Sequence, residues 1–105
     1  MEPVEISSTE KDMLTGLSET LQLSVLEYDQ LYYAYRYVKA QGIAAETDIK
    51  EIIGLGIPLH QALADVKMVS VEDIRSQLVS GSITSEDVEN AFVQMTTASG
   101  LYFKA

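Results

Sequence analysis

His60 is the only histidine in this 105-residue chain, and there is no cysteine at all. Those two facts bound the chemistry. A disulfide and a thiolate metal centre are excluded, and no Ser/His/Asp or Cys/His set can be assembled. A lone histidine that follows a proline near a helix start is expected to be an exposed polar residue rather than a base or a ligand. Asp48 with Glu51, and Glu86 with Asp87 and Glu89, group oxygen ligands that a calcium ion could use. Neither group has the alternating ligand loop with its central glycine. Gly54-Leu55-Gly56 lacks the third glycine and the preceding strand of a phosphate cradle. The expectation is therefore a chain with no catalytic residue, no metal and no cofactor, and not an enzyme.

Charge narrows the partners. Sixteen Asp and Glu stand against seven Lys and Arg, a formal net charge of −9. That field repels phosphate, so neither nucleic acid nor an anionic membrane surface is an expected partner. The acidic start, with no basic segment ahead of an apolar run, does not read as a signal peptide. No run approaches the roughly 18 apolar residues of a membrane span. At 47% hydrophobic residues and two prolines, the length suits one domain with a single modest core.

The elements that would position these residues are helical. Gly54-Leu55-Gly56-Ile57-Pro58 marks a sharp corner, since glycine tolerates the backbone angles of a helix end and proline suits the first turn of the next. Residues 1–6 read as a loose leader. Ser7-Ser8-Thr9-Glu10 fits a capping box, and Leu14, Leu17 and Leu21 then recur on one side of a helix from Ser8 to about Thr20. Glu46 to Ile53 is a short helix with Ile49, Ile52 and Ile53 inward. Beyond the corner, Pro58 opens a helix that buries Leu59, Ala62, Leu63 and Val66. No sustained alternation argues for a strand. The expected fold is all-α, a compact orthogonal bundle of five to six short helices.

Two helix starts in the last third are solved the same way. Val69-Ser70-Val71-Glu72-Asp73-Ile74 is echoed by Ile83-Thr84-Ser85-Glu86-Asp87-Val88. Each places a hydroxyl at the cap, a carboxylate three residues on, and aliphatics at the spacing of a hydrophobic staple. The first helix should bury Ile74, Leu78 and Val79 and stop at Ser80-Gly81. The second should bury Val88, Ala91, Phe92 and Met95 and fray through Thr96 to Gly100.

Ser24 to Ala40 carries two apolar faces. Val25, Tyr28, Leu31, Tyr32, Tyr35 and Val38 form a broad one, the expected core face. Leu26, Tyr33 and Tyr37 form a narrower stripe nearly opposite, with Asp29 and Arg36 between on one side and Glu27 and Ala34 on the other. Gly42 is placed to close this helix. Either both faces lie in the core with hydroxyls reaching the surface, or Leu26, Tyr33 and Tyr37 are a contact surface for another chain or a second copy.

From about Leu23 to Phe103 the order and spacing of several pieces resemble the conserved globular region near the N-terminal part of phage tail tape measure proteins. The pieces are Val38-Lys39-Ala40-Gln41-Gly42, Asp48-Ile49, Gly54-Leu55-Gly56-Ile57-Pro58-Leu59 and Ala62-Leu63-Ala64. They continue with Val71-Glu72-Asp73-Ile74, Leu78-Val79-Ser80-Gly81-Ser82-Ile83, Val88-Glu89-Asn90-Ala91-Phe92 and Met95-Thr96-Thr97-Ala98-Ser99-Gly100. Family members commonly have an alanine-glycine pair before the Ile-Pro and a Ser-Glu-Gly-Gly ending after Met-Thr; this chain has neither.

The resemblance implies a structural role in the virion tail, or in the bacterial cytoplasm during assembly or as a prophage product. Its partners would be other tail proteins or the rest of a long tape measure chain, from which this bead is excised, and a homo-oligomer through the stripe is a further option. Residues 1–22 would be a leader and first helix closing a preceding segment, and 23–105 the tape-measure-like domain. Helix rise is ~1.5 Å per residue, the physical basis of a protein ruler; a compact domain would be one bead on it. No catalytic residue is carried over. The competing expectation is a free-standing helical adaptor that binds through the tyrosine-rich helix, and a weaker one is an enzyme accessory domain.

Overall fold

The computed structural model describes residues 6–97. Six helices follow in order: α1 Ser8–Leu21, α2 Val25–Gln41, α3 Glu46–Gly54, α4 Leu59–Lys67, α5 Val71–Ser80 and α6 Ser85–Thr97. The fold is all-α, and among the described residues no strand forms. One isolated antiparallel bridge pairs Ile43 with Thr84. Around it the Ala44 N–H donates to the Ile83 carbonyl at 2.8 Å and the Ser85 N–H to the Gly42 carbonyl at 2.9 Å.

Helix starts follow local chemistry. Ser7, Ser24 and Ser70 each cap a helix with a reciprocal box, answered by Glu10, Glu27 and Asp73. At Thr84 the hydroxyl accepts from the Asp87 N–H at 3.1 Å and the Asp87 carboxylate from the Thr84 N–H at 3.0 Å. Both starts expected from the echoed motif are thus present. Ile74, Ile83 and Val88 are buried beside them, and Val69 packs against the core.

The corner between α3 and α4 has its glycine where it is needed. Gly56 adopts φ +93°, a conformation that costs a residue with a Cβ, and its N–H reaches the Ile53 carbonyl at 2.9 Å. Ile57 is thereby turned into the core. Pro58 stands one position before the helix, as the N-cap of α4, rather than inside its first turn.

The core is built chiefly by α6 against α4 and α2 against α3, with α5 and α1 completing it. Phe92, Leu31, Leu63, Ile49 and Ile52 are fully enclosed. Leu14 and Leu17 of α1 belong to the same cluster.

Several expected placements are corrected. Val25 is 80% exposed and Val79 77% exposed. The buried side of α2 is Leu31, Ala34, Tyr35 and Val38, so the core face is rotated toward Ala34, which was expected as a separator, and away from Val25 at the helix start. α5 packs mainly on α4 and needs only the narrow stripe of Ile74 and Leu78, which leaves Val79 outside. Ile53 and Val66 pack at the core's edge, half-buried. Ile6, expected in a loose leader, is buried. The expected fray as far as Gly100 lies outside the described residues.

Candidate functional site

α2 presents two different surfaces, and they are built from the same residue type. On its outer side Leu26 is 75% exposed, Tyr33 54% and Tyr37 38%. Seven- and four-residue spacing aligns the three along the helix. The Arg36 guanidinium lies 5.1 Å from the Tyr32 ring centre and 5.8 Å from that of Tyr33, a cation–π distance that steadies both rings. The structure thus places all three residues of the expected contact stripe at the surface, on one line.

On the inner side Tyr35 is buried, and its ring packs against Phe92 with centroids 5.5 Å apart. Its hydroxyl donates to Glu10 Oε2 at 2.6 Å and lies 3.5 Å from Glu89 Oε1. The Lys39 ammonium pairs with Glu10 Oε1, and the Ser7 N–H donates to the same oxygen at 3.0 Å. Glu10, expected only as the reciprocal residue of a capping box, therefore also ties α1 to α2. Burial works to raise its pKa, but the hydrogen bonds from Lys39, Tyr35 and Ser7 outweigh it and bring the carboxyl down to about 2. For Tyr35, burial first and then Glu10 and Glu89 push the phenol far up.

A half-open cleft of about 330 Å³ lies beside this cluster, with Tyr35 and Lys39 on one wall and Glu86, Glu89 and Asn90 on the other. Chemically the cluster is a clamp. The one hydroxyl proton is committed to Glu10, and the ammonium neutralises the same carboxylate.

A second such tie joins α4 to the start of α6. Lys67 reaches Asp87 at 3.2 Å, and Asp87 is also the carboxylate of the Thr84 cap. Burial raises the Asp87 pKa, and the Thr84 N–H, Lys67 and the Thr84 hydroxyl lower it by more. Nothing in the local spacing announces either lysine, because each partner arrives from a distant helix.

His60 differs from its expected exposed position. It is half-buried at the start of α4, in the wall of a hollow between α3, α4 and α5, and among the described residues Glu46 is the one carboxylate lining that hollow. Burial, and then the nearby Arg75, lower its pKa. Asp48, a candidate oxygen ligand by sequence, has its pKa raised by burial and by Glu51. Among the described residues no three His, Cys, Asp or Glu side chains stand together as a metal site. No described helix is long and apolar enough to cross a membrane.

Comparison with protein-family models, with curated proteins and with solved structures finds no match to this chain.

Proposed function

We propose that residues 23–105 are a structural domain of a phage or prophage tail tape measure protein, with a non-catalytic part in tail-length determination and DNA delivery. The observation that supports this is where the resembling pieces fall. Gly54-Leu55-Gly56-Ile57-Pro58-Leu59 makes the α3–α4 corner. Val71-Glu72-Asp73-Ile74 and the Gly81 region make the start and stop of α5. Val88, Ala91 and Phe92 are core positions of α6. The pieces therefore recur at turns, caps and core, the positions at which a shared fold constrains residue type.

Mass spectrometry of tails purified from an induced lysate tests the proposal. The expected result is this sequence within a helix-rich polypeptide of many hundred residues in the tail fraction. Finding it as a short free protein absent from tails overturns it.

The exposed Leu26, Tyr33 and Tyr37 stripe favours a second reading, a free-standing adaptor that binds another protein through α2. Crosslinking from Tyr33 in cells separates the two. The adaptor predicts a partner unrelated to the tail, and the tape measure reading predicts tail proteins or the rest of the same chain.

A further inference from the structure

The hollow that holds His60 has a definite size and charge. Its volume is about 180 Å³, with Ile49, Leu78 and Val79 among its lining. Small-molecule sites are commonly ~300–1,000 Å³, whereas an apolar cavity of ~150 Å³ accepts a single benzene ring. The space therefore matches one aromatic or branched side chain rather than a cofactor.

The lining departs from the charge of the rest of the molecule. The chain carries −9 with seven Lys and Arg, yet Lys50 and Arg75 both line this hollow, against Glu46. Lys39 and Lys67 are committed to Glu10 and Asp87. Lys50 meets Glu46 at 3.4 Å with both side chains largely in solvent. Arg75 is exposed and forms no ion pair among the described residues. α4 begins here without a side-chain cap and without an acidic residue in its first turn, so the positive end of its dipole adds to the same field.

We propose that this hollow docks a peptide segment of a partner protein, one apolar side chain flanked by carboxylates. The anchor fills the space beside Leu78 and Val79, with the enclosed Ile49 beneath, and a flanking carboxylate pairs with the Arg75 guanidinium. Charge complementarity selects this occupant: an acidic segment meets the Arg75 guanidinium here, on a chain whose net charge of −9 repels it in general. Arginine suits the role because its planar fork holds a carboxylate through two parallel hydrogen bonds.

His60 supplies the readout, since its ring signals are unique in the spectrum. The full chain, isotope-labelled, is titrated by NMR with a short capped peptide carrying one phenylalanine between glutamates. Control peptides replace the glutamates by glutamines, or the phenylalanine by alanine. The expected result is saturable movement of the His60 ring and the Ile49 and Leu78 methyl signals. Affinity should fall about fivefold for the glutamine peptide and in Arg75→Gln, the scale of one exposed ion pair, and by about tenfold or more for the alanine peptide, which leaves the apolar space unfilled. The proposal is overturned by no movement at millimolar peptide, by equal binding of the glutamine peptide, or by unchanged affinity in Arg75→Gln. Movement of the same signals on raising protein concentration alone also overturns it, because the occupant is then a second copy.

Discussion

Tyr33 and Tyr35 stand two residues apart on α2 and meet opposite surroundings. Tyr35 is sealed against Phe92 with its hydroxyl on Glu10, while Tyr33 lies half in solvent beside Arg36. The inner surface is over-determined: ring packing, a charge-assisted hydrogen bond and an ion pair all fix the same junction of three helices. The outer surface shows exposed rings with Arg36 of the same helix over them. An element fastened so firmly on one side can carry an exposed apolar stripe on the other without losing its place.

Phe92→Ala tests the sealed side most severely. It removes the ring against Tyr35 and opens the centre of the core, and chemical denaturation should show a loss of about 3–5 kcal/mol. A loss under about 1 kcal/mol would mean that the inner surface is not packed as described.

Glu10→Gln comes next. Glutamine can still serve the cap, but it leaves Lys39 without its counter-charge and weakens the bond from Tyr35. The expected cost is about 2 kcal/mol, and no measurable change would reduce the clamp to an ordinary helix cap.

Acid should reach the same junction gradually. The Glu10 pKa is about 2 in the folded chain against an ordinary 4.5. A depressed carboxylate contributes stability that is fully present above about pH 4.5 and is lost as pH falls toward about 2. Asp87, also lowered, acts in the same direction. Stability measured across this window should therefore fall less steeply in Glu10→Gln than in the wild type, and parallel curves would remove Glu10 as the cause.

The open side should barely register in stability. Tyr33→Ser with Tyr37→Ser is expected to stay within about 0.5 kcal/mol of the wild type. Sedimentation of the same variant asks the other question. If the wild type dimerises and the variant does so equally, the stripe is not the contact between copies.

These two surfaces also show what could be read from residue order. Caps are local, so Ser7 with Glu10, Ser70 with Asp73 and Thr84 with Asp87 were visible within four residues. Ser24 with Glu27 carries the same pattern, directly ahead of the two apolar faces of α2. The stripe was visible because helical periodicity places Leu26, Tyr33 and Tyr37 in line. Lys39 on Glu10 was not, since the two are separated by a whole helix and a turn. Val25 and Val79 misled for a related reason: periodicity assigns a face, but neighbouring helices decide how wide a strip of it they cover. Arg75 and the hollow beside it depend on three helices converging, and no short motif encodes that.

The bridge at Ile43 and Thr84 has a mechanical meaning. Its two flanking hydrogen bonds join the loop after α2 to the loop before α6, so α3, α4 and α5 form an excursion that leaves and returns at one place. α1 meanwhile packs against α6. Tension applied at the two ends of such a chain falls first on the α1–α6 contact and then on the bridge. The bridge thus shields the α3–α5 excursion from pull along the backbone, and α4 is loaded only sideways, through its packing on α6.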